Sequence, residues 1–218
     1  MAIVAYFLSA VVGYLLGSIP TGFLMGTARG IDIRTLGSGN IGATNVFRHL
    51  GVPAGIFVLL ADAFKGWLAV ILATELFHFW FMPGTGAVAR EWLGIISGFS
   101  AILGHNFTCW LHFKGGKGIA TSAGVLVALV PSALLIILGI WTIIFVLTRY
   151  VSLASILAAI ALPLATWLTK GSLTMIAIAA LMGGLAIYKH KPNIQRLLKG
   201  TENRIQLRKS GTESKKSS

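Results

Sequence analysis

The 218-residue chain is 56% hydrophobic and only 11% charged, with a net charge of +12 and a mean hydropathy of +0.82. A soluble domain carries roughly 25% charged residues, so this composition excludes an ordinary soluble fold and points to segments of about 20 apolar residues that cross a bilayer. The single cysteine, Cys109, excludes an internal disulfide framework and a multi-cysteine metal site.

Residues 2–28 hold no charged side chain and follow no basic stretch, which favours a retained first span over a cleaved signal peptide. A second apolar run covers 52–81, interrupted only by Asp62, Lys65 and Glu75, and a third covers 92–113. The fourth, 118–148, has Pro131 near its middle; 150–169 and 171–188 follow. Backbone polar groups in lipid must find internal partners, and the runs lack barrel-type alternation, so they are expected to be helices.

Basic residues set the expected orientation. Arg29, Arg34 and Arg48 follow the first run, Lys114 and Lys117 the third, and Arg149 the fourth. Nine Lys and Arg lie from Lys189 onward, against only Arg90 and Lys170 in the opposite connections. Cytoplasmic loops collect Lys and Arg, which places the N-terminus outside and the C-terminus in the cytoplasm. This placement also accounts for the positive charge without a nucleic-acid partner. If Lys117 and Arg149 share a side, the fourth run must turn back. Pro131, which lacks an N–H and disfavours helix before it, is the turning point. The expectation is an all-α integral membrane bundle of about seven transmembrane helices, two of them short around Pro131. Six helices with a strongly tilted fourth are the alternative. Residues 1–198 form one expected transmembrane domain, and 199–218 a basic, mobile cytoplasmic tail.

Three polar segments on the predicted cytoplasmic side carry the chemistry. The first is Gly37-Ser38-Gly39-Asn40-Ile41-Gly42-Ala43-Thr44-Asn45, followed by Arg48. Its G-x-G-x-x-G pattern lacks the preceding strand of a dinucleotide site. Successive glycine N–H groups still form an anion nest, and Arg48 offers a bidentate fork for phosphate. The second is His105-Asn106 with Lys114-Gly115-Gly116-Lys117-Gly118. Leu111 and Gly118 stand where a Walker loop needs Gly and Ser/Thr, so this is no nucleotide loop, but it joins backbone donors, a helix start and a cation. The third is Arg149-Tyr150 with Tyr188-Lys189-His190-Lys191-Pro192-Asn193 and Arg196, where His190 can exchange a proton near neutral pH. Asp62 and Lys65 are spaced to pair on one helix face, as a structural or site-supporting pair. The spacings Gly13/Gly17 and Gly22/Gly26 read as helix packing. With so few carboxylates, no metal and no cofactor is expected.

Together and in order, Gly17-Ser18-Ile19-Pro20-Thr21-Gly22 leading to 37–45, the 105–118 loop and the 149–193 block closely resemble the bacterial acyl-phosphate:glycerol-3-phosphate acyltransferases, the PlsY family. The resemblance spans residues 1 to about 204. It implies transfer of a fatty acyl group from acyl phosphate to the 1-hydroxyl of sn-glycerol 3-phosphate, giving lysophosphatidic acid and phosphate. The expected setting is the cytoplasmic side of a bacterial plasma (inner) membrane, and an enzyme supplying acyl phosphate is an expected partner. Ser38, Asn40, Arg48, Lys117, His190 and Asn193 fall on the family's functional positions, and Glu202 on its C-terminal glutamate. The expected catalytic residues are His190, Lys117 and Ser38. The expected phosphate-binding set is Gly37, Ser38, Gly39, Asn40, Asn45, Arg48, His105, Gly115, Gly116, Lys117, Gly118, His190, Asn193 and Glu202. A transporter for an organic phosphate, a structural membrane subunit, and acyl transfer directly from a thioester donor are the competing readings.

Overall fold

The computed structural model describes residues 1–169 and 171–205, and among these it contains helices and no strands. Lys170 and the tail from 206 to 218 lie outside the described residues.

The first apolar run is not one helix. It divides into α1 (Ala2–Ser18) and α2 (Thr21–Thr27), because Ile19 is extended ahead of Pro20. A short 3₁₀ turn, Ile33–Thr35, and α3 (Ala43–Leu50) build a small platform at the same end of the molecule. Its core is Ile33, Ile41, Val46, Ala54, Val58 and Leu111. α4 (Val52–Ile71) then continues through a π-helical stretch, Leu72–Phe77, into α5 (His78–Phe81). α6 (Ala87–Asn106) starts before the third apolar run does and returns to the platform end.

The fourth run breaks at Val130 into α7 (Ile119–Leu129) and α8 (Pro131–Thr148). The two helices diverge from that turn: α7 packs along α4, and α8 along α9 (Val151–Leu168). α10 (Leu173–Lys189) packs on α9, and α11 (Lys191–Leu198) leaves it at 59°. Ser172 at the start of α10 donates to Glu91 at the start of α6, 2.6 Å, while Lys189 at the end of α10 donates to the Asn106 carbonyl, 2.9 Å. The two ends of the bundle are thereby fixed. Residues Ala128–Ser132 border the Glu91 end, whereas Lys117 and Ile205 meet partners at the Lys189 end. α7, 11 residues and so about 16 Å long, joins the two ends.

Among the described residues, five segments are long and apolar enough to cross a membrane: Ala2–Thr27, Val52–Phe81, Ala87–Leu111, Pro131–Thr148 and Val151–Leu168. The bent pair α10 and α11 makes a sixth if taken as one span, and α7 is shorter than that threshold. Close helix approach rests on small residues: a methyl group on Gly17 would overlap the Ala101 carbonyl, and one on Gly104 the Tyr14 carbonyl, where α1 and α6 touch. The central core joins Val70, Ile102, Val125, Leu126, Leu162 and Met182 from α4, α6, α7, α9 and α10. α8 is the most exposed of the long helices, with Leu135 and Leu147 turned outward.

Candidate functional site

The polar loops meet at one end of a cavity of about 500 Å³. Asn45, at the start of α3, donates from Nδ2 to the Ile33 and Leu36 carbonyls, 3.1 Å each, and accepts the Ser38 N–H at 3.2 Å. Its amide is thus used up in shaping the 33–38 loop, which makes it a support for Ser38 rather than a contact for a ligand. Asn40 accepts the Gly42 N–H at 2.8 Å, closing the turn ahead of α3. Gly37 and Gly39 have φ of 54° and 67°, where a side chain would be strained. Arg48 borders the cavity from α3 and reaches the Asn203 carbonyl through Nη2, 3.2 Å.

The 114–118 loop lies along the end of α6. Gly116 N–H donates to the His105 carbonyl at 2.9 Å and Gly115 N–H to the Asn106 carbonyl at 3.3 Å. A Cβ at Gly116 would collide with Nε2 of the His105 ring, so only glycine fits there. This geometry brings Lys117 into the cavity, where its Nζ donates to Asn193 Oδ1 at 2.5 Å. His105 is 95% buried beneath the loop.

His190 ends α10 and borders the same cavity. Its Nδ1 lies 2.7 Å from the Ala186 carbonyl. A carbonyl oxygen can only accept, so Nδ1 carries the proton and Nε2 keeps a free lone pair. Asn193, one turn into α11, accepts from Lys117 and donates through Nδ2 to Glu202 Oε1, 2.8 Å. Residues 199–205 do not leave the body as a tail. Thr201 N–H returns to the Arg196 carbonyl at 2.8 Å, and Ile205 N–H to the Arg149 carbonyl at 3.0 Å. Between them, Glu202 accepts from Ser152 Oγ at 2.9 Å and, at Oε2, from Arg196 Nε at 2.7 Å. Burial alone would raise the Glu202 carboxyl, but hydrogen bonds from Asn193, Arg196 and Ser152 hold it below the usual range. Arg48, Lys117 and Arg196 surround this single carboxylate, which leaves two positive charges at the mouth of the cavity. A phosphate monoester dianion is the matching ligand charge.

Away from the cations the cavity becomes apolar and runs between α7, α8, α9 and α10. Leu134, Trp141, Phe145, Ala158 and Leu162 line this limb. Trp141 is fixed there by stacking on Phe145 and by donating Nε1–H to Ser155 Oγ at 3.1 Å. Pro163 supplies no N–H to the Ala159 carbonyl, and the Gly183 backbone closes against that oxygen.

Of the expected site residues, Ser38, Asn40, Asn45, Arg48, His105, Lys117, Gly118, His190, Asn193 and Glu202 border one cavity. Gly115 and Gly116 shape its loop from behind. Arg196, Ser152 and Asp62, outside the expected site set, border the cavity as well. The sequence places Arg196 in the third polar segment, one helical turn beyond Asn193, and Asp62 in a site-supporting pair with Lys65. Ser152 carries no such signal, since its partner is 50 residues away. Among the described residues no group of three or more His, Cys, Asp or Glu is placed to hold a metal ion.

A cationic chamber continuous with an apolar channel, inside a bundle of membrane-length helices, defines an integral membrane protein with an amphipathic internal cavity. Residues 7–200 match the family described as glycerol-3-phosphate acyltransferase. A glycerol-3-phosphate acyltransferase of Geotalea daltonii is 45% identical over 87% of this chain and 92% of its own length. One from Desulforudis audaxviator is 44% identical over 96% of this chain and its own full length. Among solved structures, the glycerol 3-phosphate form of PlsY (YgiH), an integral membrane glycerol 3-phosphate acyltransferase, superposes with a TM-score of 0.82 at 38% identity, covering 92% of this chain and 96% of its own. Its lysophosphatidic acid form gives 0.80 at 37%. The chain belongs to the glycerol-3-phosphate acyltransferase family, and it is an all-α integral membrane protein.

Proposed function

We propose that this protein transfers a fatty acyl group from acyl phosphate to the 1-hydroxyl of sn-glycerol 3-phosphate, giving lysophosphatidic acid and inorganic phosphate. The observation that carries the reading is the joined cavity, in which Arg48, Lys117 and Arg196 face one end and the α7–α10 channel forms the other. The family relatives named for glycerol 3-phosphate, and the PlsY structures holding glycerol 3-phosphate and lysophosphatidic acid, support the acceptor and the product.

An acyl phosphate is a mixed anhydride with a good leaving group, so the transfer calls for positioning and charge stabilisation rather than a covalent enzyme intermediate. Lys117 and the backbone N–H groups of Lys117 and Gly118 hold the phosphate of the donor, on a loop that Gly115 and Gly116 fix against α6. Ser38, Arg48, His190 and Asn193 hold glycerol 3-phosphate, with Asn40 and Asn45 keeping the Ser38 loop in shape. The 1-hydroxyl oxygen bonds to the acyl carbon, the bond from that carbon to the phosphate oxygen breaks, and phosphate departs against Lys117. The hydroxyl proton passes to His190 Nε2 or directly to the departing phosphate. A His190→Gln variant separates the two routes: survival of kcat with a raised KM for glycerol 3-phosphate assigns the proton to phosphate. The acyl chain lies in the apolar limb bordered by Trp141 and Leu162.

The same reading sets the protein in a bacterial plasma membrane with seven crossings, α7 and α8 being the fourth and fifth. The N-terminus is outside and the cavity mouth faces the cytoplasm, where an acyl-phosphate-forming enzyme supplies the donor. The turn at Val130, at the end of the bundle opposite Lys117, supports this count. The test supplies purified protein in detergent or lipid with glycerol 3-phosphate and, separately, acyl phosphate, acyl-coenzyme A or acyl-carrier protein. Product from acyl phosphate alone, lost in Lys117→Ala, supports the donor. Product only from a thioester overturns it, and no product from any donor in folded protein favours transport instead.

A further inference from the structure

The cavity wall holds a buried ionic cluster that the proposed reaction leaves without a task. Asp62 and Lys65, on successive turns of α4, pair at 2.8 Å and are 2% and 5% exposed. Lys65 Nζ also donates to the Ile19 carbonyl at the α1–α2 break, 2.8 Å. Thr21, the first residue of α2, donates its hydroxyl to Asp62 Oδ1 at 3.0 Å. The same oxygen lies 3.6 Å from Nδ1 of His105, and that nitrogen has no hydrogen-bond partner among the described residues.

Stability does not account for this cluster. Charges inside a membrane bundle are costly, and a buried ion pair is often replaceable by apolar groups with no loss of stability. What the cluster does is connect two loops. α2, carrying Thr21, packs Gly22 beneath the Ile41 carbonyl and Gly26 beneath the Ile31 carbonyl, the two sides of the 31–41 segment that presents Ser38. α6, carrying His105, holds Gly116 by a backbone hydrogen bond and by the Nε2 edge of the imidazole, one residue before Lys117. One carboxylate oxygen therefore touches the supports of both phosphate-facing loops, from the helix that runs between them.

We propose that Asp62 is a positioning residue that sets the separation of the Ser38 loop and the Lys117 loop across the cavity, acting through Thr21 and His105. The proposal rests on the reading of the cavity as a two-phosphate site. Because an error of about 1 Å in placing two reactants costs on the order of a hundred-fold in rate, a device that fixes loop spacing has a direct catalytic consequence.

The test compares Asp62→Leu, Lys65→Met and the double variant Asp62→Leu/Lys65→Met, each checked by size-exclusion chromatography and thermal unfolding in detergent. The double variant leaves no unpaired buried charge and keeps the thermal midpoint of the wild type, yet its kcat/KM falls by roughly a hundred-fold. Thr21→Val raises the KM for glycerol 3-phosphate and not that for acyl phosphate, and His105→Leu does the reverse. Recovery of wild-type kcat/KM in the double variant would overturn the proposal, since Asp62 would then only neutralise Lys65. Equal effects of Thr21→Val and His105→Leu on both KM values would overturn it as well. If wild-type protein uses a thioester and not acyl phosphate, the donor reading fails. The double-variant comparison and the Thr21→Val effect on the KM for glycerol 3-phosphate remain measurable with that donor.

Discussion

Replacing Lys117 by methionine separates the cost of the site from its use. Lys117 stands in the loop ahead of α7, outside the spanning helices, and burial pushes its pKa down from 10.5 to about 8. Glu202 pulls it up, and Arg196 and Arg48 push it further down. The gap from the ordinary lysine value corresponds to about 3 kcal/mol against the charged form in the folded protein. Between pH about 8 and 10.5 the unfolded chain binds more protons at this lysine than the folded chain does, so stability rises with pH across that window. Below it, the full cost is present. Lys117→Met removes that cost and leaves Asn193 Oδ1 without its donor, a loss of about 1 kcal/mol. The variant is therefore expected to unfold at the same temperature as wild type or a few degrees higher at pH 7, while turnover falls about a hundred- to a thousand-fold. In wild-type protein kcat/KM should bend downward above about pH 8, as the free enzyme loses the ammonium charge. A bound phosphate favours the charged lysine, so the same limb in kcat lies at higher pH. Thermal unfolding in detergent and initial rates from pH 6 to 10 measure both. A variant destabilised like a truncated core residue, or kcat/KM flat to pH 10, would refute the reasoning.

Arg48→Lys should raise the KM for glycerol 3-phosphate by about ten-fold with a smaller change in kcat, because an ammonium cannot reproduce a bidentate fork; steady-state kinetics at fixed donor read this. Glu202→Gln keeps the hydrogen bond to Ser152 but leaves Arg48, Lys117 and Arg196 without an anion between them. The expected result is a lower pKa for Lys117, seen as an alkaline limb of kcat/KM moved to lower pH. Ala158→Phe places a ring in the apolar limb and should shift donor preference toward shorter acyl chains, scored by competition between acyl phosphates of different length. Gly17→Val collides with the Ala101 carbonyl where α1 meets α6, and should cost at least about 3 kcal/mol or abolish folded protein, as read by detergent extraction and thermal unfolding.

The first two loops were legible because glycines and cations together stand out against long apolar runs, and the third because its cations and His190 follow such runs directly. Pro131 announced the break in the fourth run for a local reason, the missing N–H, and the chain turns within a residue of it. Pro20 carried the same signal and it went unread, since the apolar run continues on both sides of it; the break it makes is what brings Thr21 to Asp62. Asn45 reads as one more hydrogen-bonder in a polar loop, and only its three partners show that the amide is spent on the loop itself. Glu202 lies in a stretch whose composition reads as tail. Its position depends on Ser152 and Arg149, about fifty residues earlier, and no local pattern encodes a pairing across that distance.

Arg196, Ser152 and Asp62 take their roles at the site from partners elsewhere in the chain, Glu202 for the first two and Thr21 and His105 for the third, so those roles exist only after the bundle has assembled. The glycines and Lys117 carry theirs locally, in backbone freedom and in a charge beside a helix start. This division bears on how the site holds an unfavourable arrangement. Three cations crowd one carboxylate at the mouth of an apolar channel, and repulsion from Arg196 and Arg48 adds to the burial that chiefly depresses the Lys117 pKa. The helices are held by backbone-close packing at Gly17, Gly104 and Gly183. Rigid packing elsewhere thus lets the mouth remain under-neutralised by two charges until an anion arrives, which is the electrostatic preorganisation that phosphate-directed transfer requires.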